Sequence, residues 1–117
     1  MAYFEVDATP PPAPSLQSPS DGATVYSAMP RFEWSAVSDP HGVLYEIEII
    51  GVGAVSFLEN NSYTWENGLS DGTYAWRVRA IDGLGNIGSW SSTWHFTIWI
   101  PKPTSLRIEV ENSTENF

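Results

Sequence analysis

LSDGTYAWRVRAID, residues Leu69 to Asp82, carries the plainest structural signal in this 117-residue chain. From Thr73 to Ile81 the residues alternate strictly: Tyr74, Trp76, Val78 and Ala80 fall on one side, Arg77 and Arg79 on the other. A period of two is the pattern of a β-strand with one face in a core and one face wet. Ser70-Asp71-Gly72 before it and Asp82-Gly83 after it are turn chemistry, so the strand is bounded at both ends.

The same pattern repeats outward from this strand. Arg31 to Ser35 places Phe32 and Trp34 on one face, and Val43 to Ile50 places Tyr45, Ile47 and Ile49 opposite Glu46 and Glu48. Ser62 to Glu66 aligns Tyr63 with Trp65, and Thr93 to Trp99 aligns Trp94, Phe96 and Ile98. Two shorter segments, Pro14 to Ser18 and Ala54 to Leu58, complete seven strands. All nine Gly fall between them, with Pro19, Pro30 and Pro40, the other six Pro lie at the two margins, and no window sustains a helical period. One apolar face per strand requires two sheets packed face to face, so the chain reads as an all-β, seven-stranded antiparallel β-sandwich. Six Trp, five Tyr and five Phe supply its core. Each large ring buries roughly 150–250 Å², which lets a small sandwich close. Trp34, Trp65, Trp76 and Trp94 all fall on inward positions.

FEW (Phe32 to Trp34), GVLYEIEI (Gly42 to Ile49), LSDGTYAWRVRAID and GSWSSTWHFTI (Gly88 to Ile98) resemble strands B, C, F and G of a fibronectin type III domain. The resemblance spans about Pro14 to Ile100 and is closest to repeats of bacterial and archaeal surface or secreted proteins. It implies an immunoglobulin-like sandwich of fibronectin type III topology, with strands A, B and E in one sheet and C, C′, F and G in the other. In the family pattern the corner tyrosine falls one residue later than Tyr74. Cadherin-like and other immunoglobulin-like sandwiches are the competing folds.

FEVDATPPPAPSL (Phe4 to Leu16) and FTIWIPKPTSL (Phe96 to Leu106) are similar: a short strand, a proline-rich connector, then Ser-Leu. Their spacing of about ninety residues is close to one sandwich repeat. The expected organisation is therefore the end of a preceding unit and linker at 1–13, one domain at 14–100, and at 101–117 a Pro-containing linker with the start of a next unit or a tail. Met1 reads as an added start on an excised segment. Asn60-Asn61-Ser62 and Asn112-Ser113-Thr114 are sequons.

The net charge is −9, with Arg31, Arg77, Arg79, Lys102 and Arg107 the only Lys or Arg residues. Counterion release needs clustered bases, so nucleic acid is not an expected partner, and an anionic membrane surface is disfavoured for the same reason. No run approaches the ~20 apolar residues of a membrane span. Without cysteine there is neither a disulfide nor a thiolate site.

Binding candidates are few. Trp90 lies in the loop before the last strand, and Trp99 points away from Phe96 and Ile98; an exposed ring at either position could stack on a sugar. The structural alternative lays Trp90 on the neighbouring strand and Trp99 over Pro101. Arg77 and Arg79 share the wet face of their strand. The implied topology sets Glu46 and Glu48 across from them. It equally allows guanidinium stacking on Trp90, as in cytokine-receptor fibronectin domains, although WSSTW here differs from the WSxWS motif of those receptors. Asp39, Asp82 and Asn86 gather at one pole of that topology, with Asp7 in the incoming segment, as a weak calcium candidate. They supply too few oxygens for an ion that takes ~6–8.

His41 and His95 are not spaced as metal ligands, and no Gly-x-Ser-x-Gly elbow or phosphate loop occurs. The expectation is a non-enzymatic, cofactor-free spacer or protein-interaction module of an extracellular or cell-surface protein, monomeric in isolation, contacting neighbouring domains of its own chain. The alternatives are a carbohydrate-binding or adhesion module and an accessory domain of a secreted hydrolase.

Overall fold

A computed structural model describes residues 9–102. Eight strands form: β1 (Leu16–Ser18), β2 (Ala23–Val25), β3 (Arg31–Trp34), β4 (Val43–Ile49), β5 (Gly53–Leu58), β6 (Ser62–Thr64), β7 (Gly72–Asp82) and β8 (Trp94–Ile98). No helix is present among the described residues. A three-stranded sheet, β1-β3-β6, packs against a five-stranded sheet, β2-β8-β7-β4-β5. Apart from β2, which adds a fifth strand to the second sheet, this is the division the resemblance implies, A, B and E against C, C′, F and G.

Two expectations need correction. Among the described residues there are eight strands rather than seven, and the sandwich is not wholly antiparallel, because β2 runs parallel to β8 with Ala23, Thr24 and Val25 beside Phe96, Thr97 and Ile98. Three residues after a Gly22 turn (φ 85°) are too few to display a period. The partner edge of β8 is what makes them a strand, and Trp99 N–H extends the pairing by donating to the Val25 carbonyl at 2.9 Å.

The core lies where the alternation places it. Phe32 and Trp34 reach across from β3, Phe32 to Trp76 at 4.7 Å and to Phe96 at 5.4 Å, and Trp34 to Tyr45 at 5.6 Å between ring centroids. Tilted and edge-to-face contacts at such distances suit the ring quadrupoles and add to area burial. Trp65 is buried too, whereas Trp94, at the start of β8, is only half-buried against the core. The indole N–H groups of Trp34 and Trp76 meet no hydrogen-bond acceptor of the described residues, so these rings act there purely as apolar volume.

Tyr74 resolves the register at the corner before β7. Its hydroxyl donates to the Ser70 carbonyl at 2.7 Å while its ring stacks on Phe96 at 5.5 Å. That is the tyrosine corner of immunoglobulin-like sandwiches, one residue earlier than the family pattern.

The chain crosses the sandwich from pole to pole. Ser15 and Ser35 exchange hydrogen bonds beside the 35–42 loop, and Gly88 packs so closely on Pro11 that a Cβ there would strike the Pro11 carbonyl. Pro11 and Pro14 are buried, so the proline approach is packed on the body of the domain. At the other pole, Ile100 N–H donates to Asp71 Oδ1 at 3.0 Å in the corner before β7, and Lys102 Nζ pairs with Asp71 Oδ2 at 3.0 Å. Asp7, with the rest of 4–8 in the first end segment and 103–106 in the second, lies outside the described residues.

Candidate functional site

Three groupings carry the chemistry on the surface. The first sits on the outer face of the five-stranded sheet. In the β4–β7 register Glu46 lies opposite Arg79 and Glu48 opposite Arg77. Arg79 Nε donates to Glu46 Oε1 at 2.7 Å and Arg77 Nε to Glu48 Oε1 at 2.8 Å. Both guanidinium carbons also lie over the Trp90 ring, 4.2 Å (Arg77) and 4.3 Å (Arg79) from its centroid. Carboxylate pairing and ring stacking thus occur together.

Trp90 reaches this position because the segment before β8 is laced to β7. Gly88 N–H donates to the Ala80 carbonyl at 2.8 Å and Ser91 N–H to the Val78 carbonyl at 2.8 Å. The buried Ser91 hydroxyl accepts from Val78 N–H at 3.0 Å and donates to the Ser92 carbonyl. With its face engaged by two arginines, Trp90 is part of the scaffold of this sheet.

The second grouping is Trp99 with Tyr26. Trp99 is 55% exposed and Tyr26 62%, their rings edge to face at 6.0 Å. Parallel pairing of β2 with β8 brings them together, since the strands' C-terminal ends run out side by side. Tyr26 carried no sequence signal, because the strand leading to it is legible only through its partner.

The third lies at the pole where residues 35–42 and 83–93 meet. Asp39, His41 and Asp82 each offer one ligand atom, and these atoms all lie within 4.8 Å of one another. Asp82 Oδ1 accepts from Leu84 N–H and Asn86 N–H at 2.9 Å each, and Oδ2 accepts from Asn86 Nδ2 at 2.9 Å. Burial pushes the Asp82 carboxyl up, but the Asn86 and Leu84 hydrogen bonds, with His41 nearby, outweigh it and hold the group below its ordinary value. Asp39 Oδ1 accepts from His41 N–H at 2.9 Å and stands 3.6 Å from His41 Nδ1. Gly83 N–H donates to the His41 carbonyl at 3.1 Å, joining the two loops. Asp39 and Asp82 therefore do converge, with Asn86 behind Asp82. His41 joins them, a residue that linear spacing could not nominate; the only hint is its place two residues after Asp39.

No protein-family model matches the chain, and no curated protein matches it. Solved structures do. A PKD domain of an M14-like peptidase from a Thermoplasmatales archaeon is similar at 27% identity and a TM-score of 0.52, over 80% of this chain and 98% of that one. The fibronectin type III domain of human fibronectin type III domain containing protein 3 gives 19% identity and a TM-score of 0.53 over 90% and 98%. The fibronectin(III)-like modules of CbhA from Clostridium thermocellum give 15% and 0.51 over 74% and 94%. The fold is that of a fibronectin type III-like, immunoglobulin-like sandwich.

Proposed function

We propose that this domain is a non-catalytic structural module that holds neighbouring parts of an extracellular or cell-surface protein at a set distance. The observation that carries this reading is the path of the chain. It arrives at the pole of the 35–42 and 83–93 loops, packed through Pro11 and Pro14, and leaves at the opposite pole, tied to Asp71. A rigid body loaded end to end, with proline segments at its margins, transmits spacing. The aromatic core and the Trp90–arginine array supply stiffness, and a net charge of −9 favours solubility and mutual repulsion between copies. The similar solved structures support the architecture, and one of them is a domain of a peptidase, in keeping with an accessory role in a secreted hydrolase.

The absence of cysteine makes a direct test simple. Pro10→Cys and Pro101→Cys, labelled with a dye pair, report the pole-to-pole distance by single-molecule energy transfer. One narrow, long distance that survives added salt supports the spacer. A broad or short distribution refutes it.

A second reading rests on the exposed Tyr26 and Trp99 rings, which together could face a sugar or a protein. Trp99→Ala abolishing retention on a glycan or polysaccharide support, with unfolding unchanged, supports binding; no retention of the unaltered chain opposes it.

A further inference from the structure

We infer that Asp39, His41 and Asp82 form a binding site for one divalent transition-metal ion of the zinc type. The donor set is two carboxylate oxygens and one imidazole nitrogen, gathered from two loops within 4.8 Å. Such mixed N/O donors suit zinc and its neighbours, and three protein ligands leave a position for water. Calcium suits the set poorly, since it takes ~6–8 oxygens and no imidazole.

Burial is what separates this cluster from ordinary surface acids. Only 4% of the Asp39 side chain and 5% of Asp82 are exposed, so two carboxylates face each other with little water to screen them. Asp39 uses a single oxygen, Oδ1, towards His41 and leaves Oδ2 without a partner among the described residues. A carboxylate whose side chain is only 4% exposed, beside a second carboxylate, is a group that a cation would satisfy.

Asp82, by contrast, is already oriented. Its hydrogen bonds from Leu84 and Asn86 are the outer support that a metal-binding carboxylate needs, and Oδ2, with one donor, keeps a lone pair free for an ion. The Gly83–His41 backbone bond fixes the spacing of the two loops. An open cleft of about 330 Å³ beside His41 and Asp82 gives access, and its wall carries Glu59 and no Lys or Arg. Zinc bonds of about 2.0–2.2 Å set tetrahedral donor separations near 3.4 Å, so the widest pair would close by about 1.4 Å. Rotation of the half-exposed His41 side chain can supply that movement. The ion would clasp the two loops beside which the chain arrives.

The test uses the 117-residue chain after dialysis against EDTA. Calorimetric titration with zinc chloride is expected to show one ion per chain, and zinc, not calcium, to raise the unfolding temperature. His41→Ala and Asp39→Asn should each weaken zinc binding by at least about tenfold. His41 is the most exposed of the three, so His41→Ala is the variant expected to keep the fold, checked by its unfolding transition, even if Asp39→Asn does not. His95→Ala is the control, because the exposed His95–Asp21 pair, 3.8 Å apart, is the other histidine–carboxylate pair of the described residues. It should bind as the parent does, and in NMR spectra of the parent zinc should shift the ring signals of His41 and not those of His95. Absence of saturable uptake at about 1 mM zinc, unchanged affinity in His41→Ala, or loss of binding in His95→Ala would overturn the assignment.

Discussion

Replacing Trp90 with alanine probes the array on the outer face of the five-stranded sheet. The indole makes two guanidinium contacts, at 4.2 and 4.3 Å. At about 0.5–1 kcal/mol each, the pair contributes about 1–2 kcal/mol. Loss of half-buried ring surface adds to this, and the whole stays below the ~3–5 kcal/mol of a fully buried tryptophan. Trp90→Ala is therefore expected to cost about 2–3 kcal/mol, lowering the unfolding temperature by roughly 8–20 °C for a domain of this size. Urea unfolding gives the free energy directly.

A double-mutant cycle with Arg79→Met isolates the stacking contribution, expected at about 0.5–1 kcal/mol of coupling. The Arg79 bond to Glu46 makes a parallel, electrostatic contribution that the cycle subtracts. A loss below about 0.5 kcal/mol for Trp90→Ala, within the range of ordinary surface substitutions, would refute the scaffold role. So would zero coupling. Either result would return Trp90 to the list of rings available to a ligand.

Three further outcomes follow from particular contacts. Tyr74→Phe keeps the stack on Phe96 but deletes the hydrogen bond to Ser70; it should cost about 0.5–1.5 kcal/mol in the same urea assay. Phe57 has φ 63° at the irregularity between β4 and β5, where Tyr45 faces Leu58 and Ile47 faces Val55. Its ring is 78% exposed, so Phe57→Asn, tolerant of that backbone, should stabilise by up to about 1 kcal/mol, seen as a higher unfolding temperature. The Asp82 carboxyl is held below its ordinary 3.8 in the fold, so the unfolded chain binds protons first as pH falls. Its contribution is complete above 3.8 and is lost as pH drops through the folded value; stability measured against pH should therefore fall less steeply below 3.8 in Asp82→Asn than in the parent.

Much of the outer-face array was present in local order. Arg77 and Arg79 alternate with Trp76 and Val78, Glu46 and Glu48 alternate with Tyr45 and Ile47, and pairing two such strands brings opposite charges together. The two pole sites were less legible. Asp39 and Asp82 could be assigned to one pole only through the implied topology, and His41 joined them only through the turn after Asp39 and the Gly83 bond. Tyr26 follows a strand whose identity depends on a partner about seventy residues away.

What the sequence determined by itself is the two-sided character of each long strand. Alternation is a local property, enforced because successive side chains on an extended backbone leave on opposite faces. That was enough to place Phe32, Trp34, Trp76 and Phe96 in a shared interior and to call for two sheets. The tertiary structure decided which edges meet: the parallel seat of Ala23–Val25 on β8, the Trp90 ring over both arginines, and the Asp39–His41–Asp82 convergence. These depend on contacts between residues far apart in the chain, whose free energy appears only once loop closure has brought them together, so no local pattern records them.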